Sequence, residues 1–457
     1  FVSLRYFLTQ GCAMPRIVII GGGFVGLVSA LRLAKAGHKV SILEADSEVG
    51  GLAGTFETNG QRLEKFYHHW FKSDTYVNEL VSSLGLNGHV VDRSSRTGSY
   101  YANTIFRLSS PLDLLRYKPL SLFGRIRLGL LVLQVRLVRD WKSLESITAE
   151  NWLRKQVGNE VYGKVWGPLL KGKFGEMANK VSAVWFWNKL ALRGGSRAKD
   201  GSETLSYFKG GFAALTQAMV NEIEQAGGEI ILSEKVDDVI VEENKVVAVR
   251  SGERTHPADL VINTTALPIF SDIISRHVPD EYLQKLARVK YLGNVCLVLQ
   301  LKRSLSDTYW LNVTDPDFPF VGVIEHTNFE TTELYGGRHI VYLSKYLPTD
   351  DALFLMTDQE FYEFAFPYLQ KIFPDIGQDD VIEYACYRAN YSQPIISLHY
   401  SDILPAHETP LDNLFLFTMA QIYPEDRGTN YAVRQGIEAS DYLQERILRR
   451  AVSATPD

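Results

Sequence analysis

MPRIVIIGGGFVGLVSALRLAKAGHKVSILEADSEVGG, residues 14–51, combines strand, glycine turn, helix, strand and acid in one unit. It begins with a compact apolar run, Ile17 to Ile20, which reads as a buried parallel strand. Gly21-x-Gly23-x-x-Gly26 follows at once, then an apolar-periodic helix through Leu27, Ala30, Leu31 and Ala34, closed by Gly37. A second strand, Lys39 to Leu43, delivers Glu44. In this order each residue has a distinct job. Gly21 permits the tight turn, Gly23 lets backbone approach a pyrophosphate, and Gly26 lets helix and strand pack closely. The phosphates sit at a helix N-terminus, where unpaired N–H groups and the helix dipole favour negative charge. Glu44 suits ribose hydroxyls. The stretch therefore announces an α/β chain with a Rossmann-like dinucleotide site.

Gly50-Gly51, just past the ribose acid, distinguishes this unit from a plain nicotinamide domain. The pair resembles the second diphosphate-contacting turn of the FAD-dependent amine oxidase, protoporphyrinogen oxidase and carotenoid desaturase superfamily. Three later stretches extend the resemblance. Gly210-Gly211 opens a helix, and Ala258 to Thr265 forms a buried strand of the "A-D-x-V-I" kind. Asn413 to Ala420 forms another buried strand, followed by a polar loop and a helix from about Asn430. The resemblance implies FAD as cofactor. It also implies a Rossmann-like FAD-binding domain built from three discontinuous segments, 14–72, 201–288 and 409–450, with an inserted α+β substrate domain. That domain comprises a mainly helical segment, 73–200, and a sheet segment, 289–408. It places the backbone of Val236 at the adenine side. It places N–H groups near Asn430, Tyr431 and Ala432 at the electron-rich edge of the flavin ring, where they favour negative charge. The sequence departs from the pattern at Thr418-Met419, where the family carries Gly-Asp; Thr418 and Asp426 are the candidate substitutes.

Leu63 to Phe71, read as an aromatic strand, holds Tyr67, His68 and His69. In the resembled superfamily this segment passes close to the flavin, so these three are the first candidates for lining or acid–base groups. Arg427 is a candidate anion or flavin partner. Adjacent histidines on a strand point to opposite sides, and no nearby acid or cysteine completes a ligand set, so no metal site is expected. Arg93, Arg96 and Arg107, read on one hairpin, are candidate ligands of an anionic substrate, with solvated strand charges as the plainer alternative.

The 457 residues suffice for two or three domain-sized cores. A net charge of −5 gives no reason to expect nucleic acid. Cys12, Cys296 and Cys386 form no CxxC and suit a reducing compartment. Residues 1–13 read as an upstream extension without a signal peptide. No apolar run reaches transmembrane length, so the expected location is cytoplasmic, with membrane contact at most peripheral. The 120–141 helix carries Ile126, Leu130, Leu133, Leu137 and Trp141 at helical spacing, with Arg125, Arg136 and Arg139 mostly off that stripe. The stripe faces either a core or a membrane surface. The oligomeric state is not legible.

The expected activity is that of an FAD-dependent oxidoreductase, transferring hydride from a small organic substrate to flavin. Two alternatives stay open. One is a UDP-galactopyranose-mutase-like flavoenzyme acting on a nucleotide sugar held by the arginines. The other is a non-catalytic FAD-binding protein.

Overall fold

The computed structural model describes residues 14–101, 104–107, 111–195, 203–315 and 317–453. The 1–13 extension with Cys12, the turn at Ala102-Asn103 and residues 196–202 lie outside the described residues.

Arg16–Ile20 lies at the centre of a five-stranded sheet. It pairs in parallel with Lys39–Leu43 on one side and Leu260–Asn263 on the other. Glu229–Ile231 and Leu414–Leu416 complete the two edges, also in parallel. Strands separated by hundreds of residues thus build one sheet. The cause is visible in the sequence for the three inner and C-terminal strands, Arg16–Ile20, Leu260–Asn263 and Leu414–Leu416: each is a short, almost wholly apolar run that is stable when covered on both sides. Phe24–Lys35 packs against both Gly211–Gln225 and the C-terminal helix Thr429–Ser453. The crossing with the C-terminal helix is close at Gly436, where an added Cβ would lie 2.7 Å from Val28 Cβ.

A seven-stranded sheet stands opposite, with Tyr291–Leu301 between Val381–Pro394 and His339–Leu347. Among the described residues its one parallel contact joins Trp310–Val313 to Thr97–Tyr101. Asp358–Ile372 packs its Phe361, Ala365 and Leu369 into this sheet's core, and its capping box at Thr357 and Glu360 forms as the spacing implies. Helices between Pro111 and Gly195 form a third body of structure. The hairpin turns at Asn59-Gly60 and Glu243-Asn244 both adopt the left-handed backbone that such two-residue turns require.

Three expectations are corrected. Leu63 to Phe71 is not one strand. The hairpin ladder ends where Thr55 pairs Glu64, and Lys65 to His69 runs on without regular structure before Trp70–Phe71. The stretch from Arg93 to Arg107 is not one hairpin. Val90–Ser95 pairs with Glu203–Phe208, whereas Thr97–Tyr101 and Thr104–Arg107 belong to the seven-stranded sheet, so the chain changes sheets at Arg96. Finally, the 120–141 helix spans Leu122–Leu137, and Trp141 opens a separate turn. Its core face is Leu128, Leu131 and Val135, while Ile126, Leu130, Leu133 and Leu137 are 47–76% exposed. The helix has two apolar faces, and the protein interior takes the other one.

Candidate active site

A cavity of about 1190 Å³ opens between the two sheets. It lies beyond the carboxyl ends of the parallel strands. Gly21, Glu44, Thr264 and Thr418 each follow one of those strands, and all four line it. Open α/β sheets present ligands at this edge, because loops leave the strands there and helix N-termini point inward.

One end is walled by bare backbone. Gly21, Gly23, Gly50 and Gly51 all line the cavity. The two glycine turns touch each other: Gly50 N–H donates to Gly22 O at 2.9 Å, and Gly23 bridges Gly50. A Cβ on Gly51 would lie 3.3 Å from Gly23 Cα. Gly26 does not line the cavity. A Cβ there would sit 2.0 Å from Gly21 O, so Gly26 serves the close packing of turn and helix. Glu44 is buried at this end. Its Oε2 accepts the Gly22 N–H at 2.6 Å and its Oε1 accepts the Asp46 N–H at 2.9 Å. Burial raises its pKa, and those amides pull against the rise. A carboxylate beside two side-chain-free turns is the donor set that a dinucleotide's ribose and pyrophosphate fit.

The other end is aromatic and polar. Tyr67, His68 and His69 all line it, together with Trp310, Tyr346 and Arg427. Burial holds the Tyr67 phenol neutral, its pKa well above the usual value. Burial pushes His68 down to about 4, against the Phe66 carbonyl at 2.5 Å from Nδ1, while the charge of Arg427 lowers it further. A neutral imidazole with Nδ1–H on a carbonyl leaves Nε2 as an acceptor. His69 Nδ1 is 2.9 Å from the Tyr309 hydroxyl.

The C-terminal contacts differ from expectation. The N–H groups of Tyr431 and Ala432 donate to Gly428 O, at 3.1 and 2.9 Å. The unpaired amides at this helix start, among the described residues, are therefore those of Thr429 and Asn430. Ala432 and Thr429 line the cavity, but Asn430 and Tyr431 do not. Asn430 turns its Oδ1 to the Val77 N–H at 3.2 Å. Val236 is buried in the core away from the cavity wall, although Glu234 N–H on Glu44 O, 2.7 Å, brings its segment alongside. Thr418 lines the cavity where the pattern carries Gly-Asp. Asp426 is engaged elsewhere, accepting from Trp185 Nε1 at 3.0 Å and pairing with Lys189 Nζ at 2.5 Å.

Arg93 and Arg96 do not reach the cavity. They pair with Glu330 and Asp307 respectively. The sequence reading missed Lys173 and Lys189, which stand at the cavity wall beside Asp426 and Arg427. Their signal is a lysine inside an aromatic helical run, Lys173 before Phe174 and Lys189 after Trp185-Phe186-Trp187, and only tertiary packing brings them together. Among the described residues no cluster of metal-ligating side chains occurs, and no helix is long and apolar enough to cross a membrane.

Comparison with known proteins places this geometry. The model of flavin containing amine oxidoreductases matches residues 24–444. The 15-cis-phytoene desaturase of Glycine max is 22% identical over 406 residues, 82% of this chain and 70% of that protein. Cyclohexylamine oxidase from Brevibacterium oxydans superposes with a TM-score of 0.73 at 18% identity, over 95% of this chain and 100% of the other. A reduced UDP-galactopyranose mutase does so with a TM-score of 0.73 at 15% identity, over 95% and 94%. The superposed structures share the fold.

Proposed function

The chain belongs to the flavin-containing amine oxidoreductase family, and from that premise we propose that it is an FAD-dependent oxidase or dehydrogenase of a small organic substrate. The observation that carries this reading is the continuity of the cavity, from the paired glycine turns at Glu44 to the aromatic wall at Tyr67 and His68. A mononucleotide would leave the Glu44 end unused.

When bound, FAD supplies the two-electron acceptor at its ring nitrogen. The chain's own residues do the rest. Glu44 and the bare turns at Gly21, Gly23, Gly50 and Gly51 hold the dinucleotide end. Tyr67, Trp310 and Tyr346 form an aromatic surface that orients substrate and excludes water; Tyr67 meets Trp310 edge-on with centroids 4.9 Å apart. His68, neutral near pH 7, offers Nε2 as a proton acceptor. The amide of Thr429, with Arg427, provides positive potential where electron density accumulates. The test is anaerobic. Candidate amines, porphyrinogens and polyenes are added to the FAD-loaded protein, and bleaching of the flavin band identifies the donor. A protein whose flavin no such donor reduces is not this kind of enzyme.

The partner surface we propose is an anionic membrane face, docked through Leu122–Leu137. Leu122, Phe123, Ile126, Leu130, Leu133 and Leu137 share one exposed face of this helix. On the helical period Arg127 flanks one side of that face, and Arg125 and Arg136 flank the other. An apolar stripe bordered by arginines complements acyl chains below a layer of anionic headgroups.

A further inference from the structure

Glu64 is a buried acid that the mechanism leaves unused. It ends the hairpin strand Gln61–Glu64, is 1% exposed and does not line the cavity. Distant chain segments nevertheless close on it. Its Oε1 accepts the Phe212 N–H at 2.6 Å, in the first turn of the helix Gly211–Gln225. The Tyr207 hydroxyl donates to its Oε2 at 2.8 Å. The Tyr342 hydroxyl, from the seven-stranded sheet, donates to its backbone oxygen at 2.8 Å. Gly211 has a left-handed backbone, and a Cβ there would lie 2.8 Å from Glu64 Oε1, so the helix start closes directly on the carboxylate. The residues that hold Glu64 also touch the cavity wall. The Phe212 ring lies 5.3 Å from the His68 ring and 5.8 Å from that of Trp70. Tyr342 meets Tyr67 edge-on, with centroids 6.1 Å apart. Lys65 to His69 has no regular structure, so these packed rings take the place of a ladder in fixing it.

We propose that Glu64 is a positioning residue: by clamping the start of the helix Gly211–Gln225 and the Tyr342 strand to the end of its own hairpin, it sets where His68 and Tyr67 stand in the cavity. What those two do for a substrate rests on the flavoenzyme reading above; the clamp itself does not. The groups around the carboxylate leave it without a cation. Its strand neighbours Arg62 and Lys65 both pair with Glu48. Tyr207, Tyr335 and Tyr342 face it as phenols that burial keeps neutral. Burial pushes His326, stacked edge-on against Tyr207 and Tyr335, down to about 3, and Glu330 acts on Tyr335 from beyond. The first turn of the helix, Gly211 to Ala214, carries no charged side chain. Burial raises Glu64 to about 7, while the Phe212 amide and the Tyr207 hydroxyl pull it down. A proton on the carboxylate turns part of an acceptor into a donor and replaces a charge-assisted bond to Phe212 by a neutral one. The clamp is therefore tight above about pH 7 and slack below it.

The test is NMR of the histidine rings in FAD-loaded, isotope-labelled protein, titrated through pH 7, with the His68 signal assigned by its loss in His68→Gln. The His68 pKa is about 4, so a movement near pH 7 reports a neighbour and not the ring's own proton. In wild type the signal shifts with a midpoint of about 7. Glu64→Gln keeps an acceptor oxygen for the Phe212 N–H but has no proton to exchange, so its His68 signal stays flat. Tyr207→Phe removes a donor that favours the charged carboxylate, which raises the midpoint by about 1 pH unit. That variant decides the matter should Glu64→Gln fail to fold. A wild-type signal that stays flat, one that moves alike in Glu64→Gln, or a midpoint unchanged in Tyr207→Phe overturns the proposal. A merely structural carboxylate lowers the melting temperature when replaced but gives His68 no midpoint. FAD uptake is scored separately by visible absorbance. A protein that shows the midpoint but takes no FAD fails the flavin reading and not this one.

Discussion

The Gly22 N–H donates to Glu44 Oε2 across 2.6 Å, so the acid at the end of the second strand also pins the glycine turn after the first. Glu44 is thereby both a turn clamp and a cavity-wall carboxylate. Glu44→Ala removes both roles, whereas Glu44→Gln keeps one acceptor oxygen. A charge-assisted hydrogen bond contributes about 1.5–3 kcal/mol, so Glu44→Ala weakens FAD binding ~10-fold or more and Glu44→Gln falls between. Flavin fluorescence quenching on titrating apoprotein with FAD measures this; equal affinities for wild type and Glu44→Ala contradict the assignment.

Gly23 and Gly26 separate cofactor space from packing space. A Cβ on Gly23 meets nothing nearer than Gly51 Cα at 4.0 Å, while one on Gly26 strikes Gly21 O at 2.0 Å. Gly23→Val therefore loses FAD yet keeps the apoprotein's melting temperature. Gly26→Ala lowers it, with an overpacking cost of about 1–3 kcal/mol. Differential scanning calorimetry of both apoproteins decides, and the reverse pattern would reject these roles.

His68 makes stability depend on pH. Its pKa is about 4 in the folded protein, below the ordinary value near 6.5. Between those values the unfolded chain binds the extra proton. The His68 contribution is therefore complete above about pH 6.5 and is lost as pH falls toward about 4. His326 shifts in the same direction and Glu64 in the opposite one, so the diagnostic is a difference between variants. The melting temperature of wild type falls more than that of His68→Gln between about pH 7 and about pH 5. Parallel profiles contradict a buried neutral His68.

Leu130 and Leu133 are 47% and 58% exposed, so replacing both by Asp removes apolar surface without opening the core. The double variant keeps the wild-type melting temperature and loses co-sedimentation with phosphatidylglycerol vesicles. Wild-type protein that ignores such vesicles, or elutes as a dimer broken by the same variant, replaces the membrane with another occupant.

The parallel sheet was legible because its central strand is a short continuous apolar run and positive-φ glycines stand beside three of its strands, at Gly21, Gly37 and Gly227. The left-handed glycines at Gly21, Gly50 and Gly210 mark sequence and structure alike. The wall at Tyr67 to His69 was legible as composition but not as conformation, since its ladder stops at a partner, Thr55, that local pattern does not identify. Leu122–Leu137 misled for a different reason: with apolar residues on two faces, periodicity gives the helix but not the side that meets the core. Asp426 and Arg427 were legible as candidates, but Lys173 and Lys189 were hidden because only tertiary packing brings their helices beside that loop. Asn430 and Tyr431 were expected to face the ring, but the helix begins at Thr429, so the first amides belong to Thr429 and Asn430.

We propose that the cavity from Glu44 to Arg427 holds FAD. It is tested most directly by the absorption spectrum of the purified protein after incubation with FAD and removal of excess, followed by identification of the flavin released on heating. The expected result is a purified protein that is yellow, with one oxidised flavin per chain, released as FAD and not FMN. A colourless protein, or one that takes FMN in preference, would contradict it.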